Sequence, residues 1–470
     1  MSDFFIRLTR ERISSTDRIR SVTKNFFLHF HAPKIHFYSL RPQFTFGLGV
    51  INASLFLLLL FSGILLMVYY EPSTIKAYSS ILDINNVVIG GRYLRNIHRW
   101  AAHGLVFFAM LHLARTFFTA SYTKNRKMTW NLGIGLLLVT VLSSFTGYLL
   151  PWDQLGFWAV TIASNIVGST REVTDALNIT AYFNPGLIIK NLLLGGSDVT
   201  QESLTRFYLL HVVFLPLIFV LFTALHFWRI RKQGGLNLPD NADRFLLPAA
   251  VRDDKSIKIH KSKTQILSWP TALWAELAVF LTALSIVTLF GFLINAPLKE
   301  MANTAIPENP AKAPWYFLGV QELVSYSAFG GGLLTPLLVI TALFLIPYLD
   351  KNNNLSGIWF NGREGLKIVL HSITISFATI MIMMIIIIQW GWLRDWLPNS
   401  PHWLPILINP GILCIAIFCL FALFIHRLTG SSRRAVIALF STLATGYLIF
   451  TVIGIWFRGR DWEFILWPFF

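Results

Sequence analysis

The sequence predicts an all-α, polytopic membrane protein with about nine transmembrane helices. Three observations carry that expectation: low charge, long apolar runs, and cationic residues confined to the stretches between those runs. Of 470 residues, 54% are hydrophobic and only 13% are charged, with a mean hydropathy of +0.58. Soluble domains carry about a quarter charged residues, so this chain has too little polar surface to cover a water-soluble globule. Runs such as 44–68 and 373–388 reach or approach the ~20 apolar residues that cross a hydrocarbon core. The net charge of +16 comes from 39 basic and 23 acidic residues. Its placement between apolar segments follows the positive-inside rule and excludes the nucleic-acid binding that such a charge would suggest in a soluble protein.

Nine apolar segments lie near 44–68, 97–119, 131–150, 205–228, 272–294, 333–349, 366–389, 406–426 and 435–457. The connecting loops alternate in character. Lys124, Arg126 and Lys127 fall in one; Arg229, Arg231, Lys232, Lys255, Lys258, Lys261 and Lys263 fall in the next but one; Arg427, Arg433 and Arg434 fall in a later loop of the same parity. The N-terminal tail is basic too (Arg7, Arg10, Arg12, Arg18, Arg20, Lys24), so all four stretches are expected on the cytoplasmic side. The opposite loops, 151–203, 295–332 and 394–405, are rich in Trp and Pro. The first 35 residues contain no apolar stretch, and no cleavable signal peptide is expected. Cys414 and Cys419 sit inside an apolar run and read as small buried hydrophobes.

Four histidines stand out. His98 and His112 fall 14 residues apart in the second segment, and His211 and His226 fall 15 apart in the fourth. On a helix these spacings leave each pair about 40° and about 60° from a common face, with an axial rise of about 21–23 Å. Each helix therefore offers one imidazole near either membrane surface. Antiparallel helices would pair His98 with His211 and His112 with His226. Ionisable side chains inside a membrane are expensive and mark function, and paired imidazoles suit bis-histidine haem iron. His103 lies off this face and reads as structural.

Gly49 and Gly63 in the first segment, and Gly133 and Gly147 in the third, repeat the spacing of 14. Lacking Cβ, they let a backbone approach a flat ring; close helix packing is the alternative use of small residues in membranes. Arg95, three before His98, and Arg115, three after His112, fall where haem propionates would need cations, with Arg206 a further candidate.

GYLLPWDQLGFWAVTIASN (147–165), LTRFYLLH (204–211) and HFWRIRKQG (226–234) resemble cytochrome b of the quinol–cytochrome c and plastoquinol–plastocyanin reductases, over nearly all of 30–350. The spacing between His211 and His226 is similar to the plastoquinol-type and Gram-positive forms; the mitochondrial form is one residue shorter. The resemblance is to a fused, single-chain bacterial form, since the plastoquinol type divides this region between two polypeptides. It implies two non-covalent b haems in a front four-helix bundle, quinol oxidation on the positive side, quinone reduction on the negative side, and proton movement across the membrane. It also implies a Rieske iron–sulfur protein and a c-type cytochrome as partners, a homodimeric complex, a quinone pool in the lipid membrane, and the bacterial cytoplasmic membrane as location, with a cytoplasmic N-terminus. The expected organisation is a basic N-terminal segment (1–43), a di-haem domain (44–228), a basic cytoplasmic linker (229–268), a region similar to the second plastoquinol-type polypeptide (269–350), and additional helices with a tail (351–470).

Three departures qualify the resemblance. The family's Pro-Glu-Trp-Tyr signature places a glutamate at the quinol-oxidation site, where this chain has Pro314 before Trp315 and Tyr316. A quinol losing protons needs a base within reach. Glu322 is the nearest downstream carboxylate, with a structural cap as its alternative role; Tyr148 and Tyr316 are candidate hydrogen-bonding groups beside it, and Asp153 reads as structural. The family's extra covalent haem needs a cysteine where this chain has Phe37-Tyr38-Ser39, so no covalent haem c is expected. A quinone could then approach the inner haem near His112, His226, Arg231 and Lys232, with His29, His31 or His36 as open candidates. The third departure is the set of extra C-terminal helices and the aromatic tail FRGRDWEFILWPFF, expected to lie at the membrane interface or to dock another subunit. The leading function is quinol oxidation in a bc-type complex, with menaquinol favoured by the lost glutamate. The alternatives are a di-haem quinone oxidoreductase without bifurcation and a haem-bearing membrane anchor.

Overall fold

A computed structural model describes residues 33–123, 125–246, 264–351, 356–392, 396–401 and 403–465. Among the described residues, nine helices are long and apolar enough to span a membrane: α1 Leu48–Met67, α2 Gly91–Phe118, α3 Lys127–Leu149, α4 Gln201–Lys232, α5 Ser268–Leu293, α6 Gly330–Leu349, α7 Arg363–Trp390, α8 Pro410–Thr429 and α9 Ser432–Trp456. The only sheet among these residues is an antiparallel pair, β1 Lys34–His36 with β2 Gln265–Leu267. Much of the 229–268 linker, together with Lys124, His29, His31 and the last five residues of the tail, lies outside the described residues.

The helices match the apolar segments, but several are longer. α2 starts six residues before the apolar window because Arg92 and Arg95 continue the helix while ending the apolar run. Gly90, with φ of 74°, supplies the left-handed turn from which α2 starts. The side chains of Leu57, Phe61, Leu217, Leu221, Leu281 and Leu289 are exposed. Outward-facing apolar side chains in such number suit lipid and would be a liability in water.

α4 is not a uniform helix. At Leu210–Phe214 it widens into a π-turn, in which the Leu215 N–H donates to the Leu210 carbonyl five residues back. Pro216 explains why the widening sits there. A proline inside a helix lacks the N–H and crowds the carbonyl four residues earlier, and a wider turn relieves both problems. α6 does the same at Gly330–Leu334, just before Pro336.

α1 packs on α2 and α3 on α4, with α5 against α1 and α2. Leu55, Ala101, Leu105, Val139, Leu215 and Phe219 fill the middle of this bundle, and Phe56 stacks on Phe219 with ring centroids 3.9 Å apart. The C-terminal helices are integral to the molecule. In its most apolar stretch α9 is 56% buried, against 11–33% for the other spans, because it packs on α7, α8 and the short helix Trp315–Val324. Arg433 at the start of α9 reaches the end of α2: its guanidinium donates to the Phe117 carbonyl (2.8 Å) and pairs with buried Asp350 (3.3 Å), which also accepts from Tyr122 (2.7 Å).

Candidate functional site

α2 and α4 bring their histidines together at two levels. His98 faces His211 with ring centroids 6.3 Å apart and planes at 74°, and His112 and His226 form the second level on the same two helices, beside Gly49 and Gly133. Two metal–nitrogen bonds of about 2 Å each, plus the two ring radii, fill a 6.3 Å separation.

Neighbouring helices fix which nitrogen is presented. Ser62 on α1 donates its hydroxyl proton to the Leu58 carbonyl (2.7 Å), so its lone pair takes the Nδ1–H of His98 (2.8 Å). His211 Nδ1–H donates to the Ser143 carbonyl on α3 (2.9 Å), with Thr146 Oγ1 at 3.2 Å. Both rings thus keep Nε2 free for a ligand bond, the arrangement in which a second hydrogen bond orients a ligating histidine. At the other level Nδ1 of both His226 and His112 is buried without a hydrogen-bond partner.

The four glycines face the imidazoles themselves. A Cβ on Gly63 would lie 3.3 Å from His98 Cε1, and one on Gly147 would lie 2.5 Å from His211 Cε1. The corresponding distances are 3.7 Å from Gly49 to His112 and 3.6 Å from Gly133 to His226. α1 thus makes room for the imidazoles of α2, and α3 for those of α4.

The π-turn accounts for the unequal spacing. Fifteen α-helical residues would rotate His226 about 60° past His211, whereas 14 leave an offset of about 40° in the opposite sense. One extra residue absorbed in the π-turn returns the α4 pair to the angle of the α2 pair.

His98 and His211 open on a cavity of about 250 Å³ that Arg95, Arg99, His103 and Tyr148 also line. Arg95 donates to the carbonyls of Ala296 (3.0 Å) and Pro297 (2.6 Å). Arg99, which spacing did not single out, lies over the Tyr148 ring at 5.0 Å, and its Nε is buried without a hydrogen-bond partner. At the second level Arg115 is buried beside Phe44, donating Nε–H to its carbonyl (2.9 Å), with one terminal nitrogen unpartnered. Orphaned guanidinium nitrogens beside paired imidazoles fit a haem carrying carboxylates. Arg206 does not join them. Its exposed side chain turns to the Leu192 carbonyl, because the last turn of the short helix Pro185–Leu194 leaves carbonyls unsatisfied.

The Trp315–Val324 helix starts directly after Pro314 and packs on α9, while its first two residues reach α2 and α3. Trp315 Nε1–H donates to His103 Nδ1 (3.0 Å), and the Tyr316 hydroxyl bonds Ser144. Burial pushes the Tyr316 phenol above its ordinary range, so it acts as a neutral hydroxyl. His103, which sequence spacing left as structural, thus joins the Trp-Tyr segment to the cavity.

Glu322 is elsewhere. Fully buried, it is absent from the cavity wall and accepts from Arg458 Nε (2.9 Å) and Nη2 (2.5 Å), Trp462 Nε1 (3.1 Å) and the Tyr326 hydroxyl (3.1 Å). The tail residues Arg458 and Trp462 therefore turn inward onto their own chain. Asp153 caps the helix Gln154–Gly168 through the Gly156 N–H (2.9 Å) and takes the Lys299 N–H (3.1 Å). On the opposite side of the bundle, His36 pairs with Asp243 (2.8 Å).

The family model for cytochrome b/b6/petB matches residues 37–234. Cytochrome b6 of Mastigocladus laminosus is 41% identical over 187 residues, covering 40% of this chain and 81% of that protein. Cytochrome b6 of Cyanidium caldarium is 39% identical over 186 residues, with the same coverage. A chain of a solved structure described as a hyperthermophilic respiratory Complex III superposes over 96% of this chain and 98% of its own length, with a TM-score of 0.62 at 20% identity. That likeness extends the shared fold through the C-terminal helices, beyond the reach of the cytochrome b6 alignments. The chain therefore belongs to the cytochrome b/b6 family and is a bc-type cytochrome b, a multi-pass membrane protein that binds b-type haem.

Proposed function

We propose that this subunit holds two b haems, one between His98 and His211 and one between His112 and His226, and that it oxidises a quinol, menaquinol by preference, beside the Trp315–Tyr316 segment on the positive side. The single observation that carries the reading is the facing of His98 and His211 at 6.3 Å with both Nδ1 atoms engaged by α1 and α3. Haem iron held by two imidazoles passes single electrons without a change of ligands. The chain's own residues orient the imidazoles, supply cations at Arg95, Arg99 and Arg115, and separate the two levels with the apolar layer around Leu105 and Phe219. Quinone is reduced on the negative side, near His112 and His226, and proton translocation follows from the two quinone reactions lying on opposite faces. No covalent haem is held, since Ser39 offers no thiol and both cysteines lie in α8. The N-terminus is cytoplasmic, in a bacterial cytoplasmic membrane, and a Rieske protein, a c-type cytochrome and a second copy of the chain complete the complex. Glu322 serves this site as an anchor of the Trp315–Val324 helix.

A redox titration of the purified complex, followed at the b-haem absorbance, is expected to resolve two components, both reducible by a naphthoquinol; a single component would refute the two-haem assignment. The lost glutamate favours one other reading, quinone oxidoreduction without bifurcation, and co-purification of a Rieske subunit decides against it. The glycines give a graded test. Gly147→Ala is expected to displace His211 and shift the spectrum of that haem strongly, Gly63→Ala mildly, and Gly49→Ala or Gly133→Ala least, following the distances above. Equal effects from all four would mean that the glycines serve helix packing instead.

A further inference from the structure

We propose that His103 is a quinone-binding residue, presenting a fixed N–H to an oxygen of the quinol head group. The argument starts from the Trp315 hydrogen bond. An indole nitrogen can only donate, so the His103 Nδ1 that it meets at 3.0 Å must be the unprotonated nitrogen of a neutral ring. The ring proton is then on Nε2. Among the described residues the ring's only hydrogen-bond partner is Trp315, which leaves the Nε2–H unsatisfied by protein.

The surroundings define what would satisfy it. With Arg99 and Tyr148, His103 lines the cavity on which His98 and His211 open, and its contacts with Trp315 and Tyr316 put it on the Trp-Tyr side of that cavity. Its ring stands edge-on to Tyr316 (6.0 Å between centroids, 61°) and tilted against Trp100 (5.6 Å). One oriented donor among aromatic rings matches a flat, largely apolar molecule carrying a ring oxygen. That is the chemistry of a quinol or quinone head group. The inference rests on the quinol-oxidising reading above and adds the residue that grips the substrate.

The same hydrogen bond excludes a different role. With its only lone pair engaged by Trp315, His103 cannot take the quinol proton without giving up the bond that holds it. It binds; it does not replace the missing glutamate as a base. A binding donor and a base leave different kinetic signatures: losing the first raises KM, losing the second lowers kcat.

The test uses the intact complex with 2,3-dimethyl-1,4-naphthoquinol as substrate. His103→Phe keeps the ring and removes the N–H; it is expected to raise KM about tenfold with kcat unchanged, the size of one lost hydrogen bond. His103→Gln, whose amide oxygen can accept from Trp315 while its NH₂ donates, is expected to restore KM to within about threefold of wild type. An unchanged KM in the Phe variant, or a fall in kcat with KM retained, overturns the proposal. If the Phe variant disturbs the b-haem spectrum, His103→Ala is judged on the same criteria. Disturbance in both makes the residue structural and also overturns it. Failure of the wild-type complex to oxidise the naphthoquinol would instead refute the quinol-oxidising reading itself.

Discussion

Replacing His98 or His211 by alanine is expected to abolish the low-spin spectrum of one b haem and leave the other intact. The two levels are separated by about 21 Å of helix rise and by the layer of Leu55, Leu105, Val139, Leu215 and Phe219. Among the described residues no hydrogen-bond partner of one level is shared with the other: the Ser62 hydroxyl serves His98 and the Ser143 carbonyl serves His211, while Nδ1 of His112 and of His226 has no partner. Sites so far apart, with no shared partners, respond independently. Haem content and the reduced-minus-oxidised spectrum of each variant check this, with the His112 and His226 variants as the mirror experiment. Retention of both haems would refute the ligand assignment. Loss of both would show that one haem is needed for the bundle to assemble.

The second large effect is expected at Glu322. Removing the quinol's base would slow turnover in a stable protein, but the geometry leads to the opposite pattern. Glu322→Gln is expected to lower the thermal stability of the complex while turnover per haem stays near wild type. The carboxylate is the buried partner of Arg458, and three side chains direct four donor contacts at it. Breaking a buried ion pair on one side leaves an uncompensated charge and costs about 3–5 kcal/mol. The double variant Glu322→Leu with Arg458→Met is expected to recover much of that loss, since an apolar pair of similar volume leaves no buried charge. Thermal denaturation and naphthoquinol turnover, normalised to haem, give the answer. Lower turnover at unchanged stability would return Glu322 to the quinol chemistry.

What could be read from the sequence was what repeats along a single helix. Spacing alone nominated the His98/His112 and His211/His226 pairs and the glycines at matching intervals, and hydropathy alone nominated the nine spans. What escaped was set by partners remote in sequence. His103 sits 140° round the helix from His98 by the same count that singles out the histidine pairs, and its bond to Trp315 crosses 212 positions. Glu322 meets Arg458 across 136 positions, with nothing local to announce it. Spacing points to Arg95, three before His98, whereas the guanidinium over Tyr148 belongs to Arg99, the residue next to His98. Arg206 went the other way: its spacing suited a propionate, but a free carbonyl at a nearby helix end claimed it first. A long, flexible cation goes to the nearest unsatisfied acceptor, and sequence spacing does not show where helix ends meet.

The wide turn in α4 has a consequence for how such chains can vary. One added residue between two ligands on a rigid helix would swing the second about 100° away from its partner and destroy the centre. Here the surplus residue is confined to a single turn next to Pro216, and everything beyond it keeps its orientation. Chain length and coordination geometry are thereby uncoupled at this point. An insertion that would turn the second imidazole away in a uniform helix is absorbed here, and what the pair requires is an angle about the helix axis, not a count of residues.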